Sequence, residues 1–132
     1  MKLINRDTDY AMKALRYIAS QKNKIITVSE LVKKLRIPHS FLRKILQILN
    51  KKRILKSYKG QGGGFMLALK PDEIFLVDLI RIFHGPFKFD NCLFVKKKCP
   101  EVNSCILKRK IDSIEQHVIA ELRSITLESL LQ

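Results

Sequence analysis

Residues 27–50 read TVSELVKKLRIPHSFLRKILQILN, and the fold turns on this stretch. Thr27 followed three residues later by Glu30 is a capping-box pattern, in which each side chain can satisfy a free backbone N–H at a helix start. The spacing predicts a helix over 28–35 with Val28, Leu31, Val32 and Leu35 on its inner face. Arg36-Ile37 breaks it, and Pro38 fits the first turn of a second helix, where its missing N–H costs little. Over 38–50 that second helix buries Leu42, Ile45, Leu46 and Leu49 and exposes Ser40, Arg43, Lys44 and Gln47. Two helices joined by a short turn, the second polar and basic on one side, match a helix-turn-helix. Small helical bundles share this pattern, so the flanking sequence has to decide.

Upstream, Ala11, Ala14, Leu15 and Ile18 share one face of a helix predicted over 8–20. Downstream, 54–58 and 65–69 read as strands separated by Lys59-Gly60-Gln61-Gly62-Gly63-Gly64. Such a connection can adopt the positive backbone angles of a hairpin turn. A hairpin directly after a recognition-like helix is a wing. A nucleotide-binding phosphate loop is the competing reading, but it needs a Gly-Lys-Ser/Thr ending and a following helix, and the sequence has neither. Pro71 ends the second strand, and 76–83 forms a short helix with Leu76, Leu79, Ile80 and Phe83 apolar before Gly85-Pro86 stops it.

From 106 to 125 the positions Leu107, Ile111, Ile114, Val118, Leu122 and Ile125 form one apolar stripe on a helix of about five turns. In so short a chain this helix finds cover either by folding back on its own core or against a second copy in a twofold dimer. The second arrangement is expected here, followed by a short turn over 126–131. The predicted fold is mainly α with a small β-hairpin wing: a winged helix-turn-helix domain (1–90), a cysteine loop (91–105), and a dimerisation helix with a carboxyl-terminal segment (106–132).

The charge is divided the same way. Of a net +14 over 132 residues, 1–70 carries 17 Lys or Arg against three acids, whereas 71–132 carries nine of each sign. A basic half joined to a balanced half points to one polyanion-binding region. Double-stranded DNA is the expected partner. Ser40, Arg43, Lys44 and Gln47 are placed nearest base edges or phosphates, with Arg43 suited to donate two bonds to guanine. Lys51, Lys52, Arg53, Lys56, Lys59 and Gln61 are assigned mainly to the backbone or to the wing tip. Solvated surface charge is the competing role for each lysine. No apolar run approaches the ~20 residues that span a bilayer, so a cytoplasmic protein without membrane attachment is expected.

Cys92, Cys99 and Cys105 all fall within 14 residues, spaced Cys-x6-Cys-x5-Cys. An odd number of clustered thiols in a reducing compartment suggests ligands or redox centres rather than a disulfide framework. Thiolates suit zinc, copper(I) or iron–sulfur clusters. Structural zinc usually pairs its ligands at tighter spacing, which favours a cluster. Uncoordinated redox thiols remain a further alternative. No Ser-His-Asp or Cys-His arrangement, Cys-x-x-Cys motif or carboxylate pair stands out, so an enzyme is not expected.

The opening Met1-Lys2-Leu3 through Asp9-Tyr10-Ala11, the wing Lys59 to Phe65, the three-cysteine loop and the closing Ile125-Thr126-Leu127 together resemble the IscR/NsrR-type regulators of the Rrf-two family. That resemblance implies a homodimeric winged-helix regulator of transcription. It also implies an iron–sulfur cluster, 4Fe–4S in preference to 2Fe–2S, that senses nitric oxide, redox state or iron and cluster supply. In IscR-like members a histidine lies three residues after the last cysteine; here that position is Lys108, unsuited as a ligand when protonated. In NsrR-like members an aspartate near the amino terminus of the partner subunit completes the set, which makes Asp9 the candidate and Asp7 its neighbour. Either acid could instead simply cap the first helix. His84, His117 and Glu101 are weaker candidates. A cluster-free thiol-redox or zinc-containing winged-helix repressor is the alternative reading.

Overall fold

The computed structural model describes residues 2–86 and 104–131. Among the described residues, five helices and one two-stranded sheet follow in the order α1 (Arg6–Ser20), α2 (Val28–Leu35), α3 (His39–Lys51), β1 (Leu55–Tyr58), β2 (Gly64–Leu67), α4 (Leu76–Phe83) and α5 (Ile106–Arg123). Short 3-10 turns lie at Pro71–Glu73 and Glu128–Leu130.

The helix-turn-helix is α2, the turn and α3. Thr27 caps α2 by accepting from the Glu30 N–H at 3.1 Å. Glu30's carboxylate accepts from the Tyr17 hydroxyl at 2.7 Å, which ties α2 to α1. Helix α2 ends at Arg36, held in the left-handed region at φ 54°. Pro38 stands at the N-cap of α3, one residue outside the expected first turn. Leu42, Ile45, Leu46 and Leu49 are buried on α3, and Ala11, Ala14, Leu15 and Ile18 on α1, as their spacing requires. On α2 only Leu31 is fully buried, and Val28, Val32 and Leu35 line the edge of the core.

Strands β1 and β2 pair antiparallel, from Leu55 opposite Leu67 to Tyr58 opposite Gly64. Ile26 adds one isolated rung on β2, since Ile26 and Phe65 exchange backbone bonds at 2.9 and 2.8 Å. This rung sets a requirement at Gly64, where a Cβ would collide with the Ile26 carbonyl. Gly60, at φ 90°, turns the tip through a region that L side chains rarely adopt. The part of β2 nearest the wing tip is therefore stitched to the loop ahead of α2.

Helix α1 starts two residues earlier than its apolar spacing indicated, because Asn5 is its cap. The Asn5 side-chain oxygen accepts from the Thr8 N–H at 2.8 Å and the Thr8 hydroxyl at 2.6 Å. Its amide donates to the Phe83 carbonyl at 2.9 Å, joining the start of α1 to the end of α4.

The carboxyl-terminal segment closes back on the core. Leu76 donates to the Ile125 carbonyl at 3.0 Å and Leu127 to the Ile74 carbonyl at 2.8 Å. Leu122 and Leu127 are 5% and 1% exposed. The other end of α5 is different: Ile106 and Leu107 are each 70% exposed and Ile114 is 52% exposed. The apolar stripe is thus anchored on its own subunit at one end and uncovered at the other. No described helix is long and apolar enough to cross a membrane.

Candidate nucleic-acid interface and cysteine-bearing helix end

Helix α3 forms a ridge. Its buried residues recur every three or four positions, so Ser40, Arg43, Lys44 and Gln47 are all exposed on the opposite side. A cleft of about 430 Å³ separates this ridge from the wing. His39, Arg43, Gln47 and Asn50 of α3 face Tyr58 and Lys59 across it. The expected residues Arg43, Gln47 and Lys59 are thereby brought together. His39, Asn50 and Tyr58 are additions that sequence reading missed. The cue for His39 was its four-residue spacing from Arg43; Tyr58 becomes visible only once the hairpin register sets it at the wing's end.

Lys51, Lys52, Arg53, Lys56 and Gln61 are exposed. Ser57, Tyr58 and Lys59 line the cleft, and Lys56 is not among its lining residues. Arg53 occupies the turn from α3 to β1 with φ 63°. Ser40 and Lys44 belong to the other flank of the ridge. There they share a smaller cleft, about 240 Å³, with Arg6, Asp7, Phe41 and Ile48.

Cys92, Cys99 and Glu101 lie outside the described residues. Cys105 is described: it is the N-cap of α5, and its Sγ accepts from the Lys108 N–H at 3.5 Å. The Lys108 Nζ donates to the Asp112 carboxylate at 2.7 Å, one turn along α5. Asp9 is not the cap of α1, since Asn5 has that role; its carboxylate, 46% exposed, pairs with Lys13 at 2.8 Å. Asp7 lies 3.8 Å from Arg6. His84 is 3.4 Å from the Asn5 side-chain nitrogen, and His117 is exposed on α5. Among the described residues, no three His, Cys, Asp or Glu side chains converge on a metal-sized position.

A sequence profile described as "Rrf2: Iron-dependent Transcriptional regulator" matches residues 4–132. A protein of Aquifex aeolicus assigned to the HTH-type transcriptional regulators is 34% identical over 124 residues, covering 92% of this chain and 86% of its own length. The HTH-type transcriptional regulator NsrR of Shouchella clausii is 33% identical over 101 residues, or 76% of this chain and 64% of that protein. Among solved structures, CymR, the global cysteine regulator of B. subtilis, superposes with a TM-score of 0.79 at 23% identity over 99% of this chain and 97% of the other. IscR of T. potens superposes with a TM-score of 0.76 at 23% identity, over 99% and 86% respectively.

Proposed function

The chain belongs to the Rrf2 family of DNA-binding transcriptional regulators, and from that premise we propose that it is a homodimer whose grip on an operator is set by an iron–sulfur cluster on Cys92, Cys99 and Cys105. It is a regulator and not an enzyme. The observation that carries the reading is the placement of Cys105 at the amino-terminal end of α5, the helix whose exposed apolar residues call for a second copy. Soft sulfur donors suit iron–sulfur centres. Asp9 of the partner subunit is the proposed fourth ligand. It stands in an exposed ion pair with Lys13, which exchanges readily for another partner because such pairs are weak. Lys108, engaged with Asp112, is left out of the proposed ligand set.

On DNA, α3 enters the major groove, Arg43 and Gln47 meet base edges, and Lys51, Lys52, Arg53, Lys56, Lys59 and Gln61 hold phosphates or line the wing tip. When bound, a cluster supplies a centre that reacts with nitric oxide or oxygen, or that reports iron supply by its loss. The chain's part is to deliver any change at Cys105 to a helix fixed to the winged domain at its far end, and so to alter the spacing of two recognition helices.

The test is the anaerobically purified full chain, assayed for iron and acid-labile sulfide, with operator affinity compared before and after cluster removal. Cluster content with a change in affinity is expected. Absent iron and sulfide would favour the cluster-free thiol or zinc repressor, and equal affinities would remove the switch. Absorbance and Mössbauer spectra of Asp9→Ala decide the fourth ligand: a 2Fe–2S spectrum unaltered by the substitution excludes Asp9.

A further inference from the structure

A recognition helix in the major groove lies between two phosphate rails, because the groove is about 12 Å wide and a helix with its side chains is about as broad. On one flank of α3 the wing supplies Lys59 across the larger cleft. The smaller cleft lies on the other flank, and its cations are Lys44 from α3 and Arg6 from the first turn of α1.

The Arg6 guanidinium carbon lies 4.4 Å from the centroid of the Phe41 ring. Tyr10 packs beside that ring at 6.4 Å between centroids, tilted by 54°. Phe41 is itself 36% exposed, which is unusual for a large aromatic on a helix with a well-filled inner face. Stacking occupies the flat face of the guanidinium and leaves its in-plane N–H groups free to form a fork that matches phosphate geometry. Ser40, on the same flank, adds a hydroxyl donor. Asp7, 3.8 Å from the Arg6 Nε, is the one opposing charge lining this cleft among the described residues.

We infer that Arg6, held by stacking on Phe41, is a DNA-backbone contact that grips the phosphate rail opposite the wing together with Ser40 and Lys44. Arg6 is the contacting residue and Phe41 its positioning residue. Asp7 weakens the contact by competing for the guanidinium. The first turn of α1 thereby joins the DNA-binding surface, so that the protein clasps both sides of the groove. This inference rests on the DNA-binding reading and is independent of any cluster.

The experiment measures binding of the full chain to a labelled mixed-sequence duplex of about 30 base pairs over a salt series, with thermal unfolding of each variant. For Arg6→Ala, affinity is expected to fall about tenfold and the salt slope by roughly one, equally for duplexes of different sequence. Arg6→Lys keeps the slope closer to wild type because the charge remains. Phe41→Leu weakens binding at unchanged net charge, and its loss is expected to disappear in the Arg6→Ala background. Asp7→Asn tightens binding. Arg6→Ala binding with wild-type affinity and slope would overturn the inference, as would additive losses in the Phe41 cycle. A wild-type chain with no affinity for duplex DNA would overturn the DNA-binding reading along with it.

Discussion

Single side chains here carry more than one attachment. Asn5 caps α1 with its oxygen and holds the end of α4 with its nitrogen. Asn5→Ala is expected to cost about 1–2 kcal/mol of stability in urea unfolding, the loss of a cap plus a cross-helix bond. Asn5→Asp keeps the cap acceptor but cannot donate to Phe83, so it should fall between wild type and the alanine variant. Tyr17 supplies a pH-dependent counterpart. Its donation to Glu30, then burial and the nearby carboxylate charge, raise its pKa above the usual 10.0. A raised pKa favours the protonated phenol in the folded state, so the contribution is complete below about pH 10 and is lost as pH rises through the folded value. Melting temperature measured from pH 8 to 11 should fall less steeply for Tyr17→Phe than for wild type; identical slopes would remove Tyr17 as the source.

At the scale of elements, the apolar spacing fixed the helices well and the wing only in part. Leu42, Ile45, Leu46 and Leu49 announce α3 because a buried face must repeat with the helical period. The rung between Ile26 and Phe65 had no such signal, for it is a backbone pairing at one residue and leaves no pattern in side chains. Its trace is Gly64, whose missing side chain makes room for the Ile26 carbonyl. Gly64→Ala is accordingly expected to destabilise the protein by about 1–3 kcal/mol, the range for overfilling a packed site, and to weaken DNA binding by loosening the wing. An unchanged melting temperature would show that the rung contributes nothing. Arg6 was likewise invisible as an interface residue, because only the packing of α1 on α3 brings it over Phe41, 35 positions away in sequence. The candidate ridge was legible for the opposite reason: its residues are the complement of a buried helical face.

At the scale of the whole molecule, the uncovered part of α5 and the anchored part make separate predictions. Charge placed on the exposed stripe, as in Leu107→Glu with Ile114→Glu, should convert a dimer to a monomer in sedimentation without lowering the melting temperature of the winged domain. An unchanged mass would show that the stripe is not the subunit contact. Leu122→Ala, by contrast, acts within one subunit and should cost about 2–5 kcal/mol as a buried leucine deletion. The two ends of α5 also stand in a mechanical relation. Eighteen residues of helix make a lever arm of about 27 Å. Its pivot is the pair of backbone bonds that clip residues 125 and 127 to residues 76 and 74. A 3 Å swing of Cys105 at the long end is a turn of only about 6° at that pivot, given the helical rise. Such a lever gears motion down and force up: a modest pull at the cysteine would arrive at α4 as a smaller displacement under a larger force, beside the helix end that Asn5 ties to the first turn of α1.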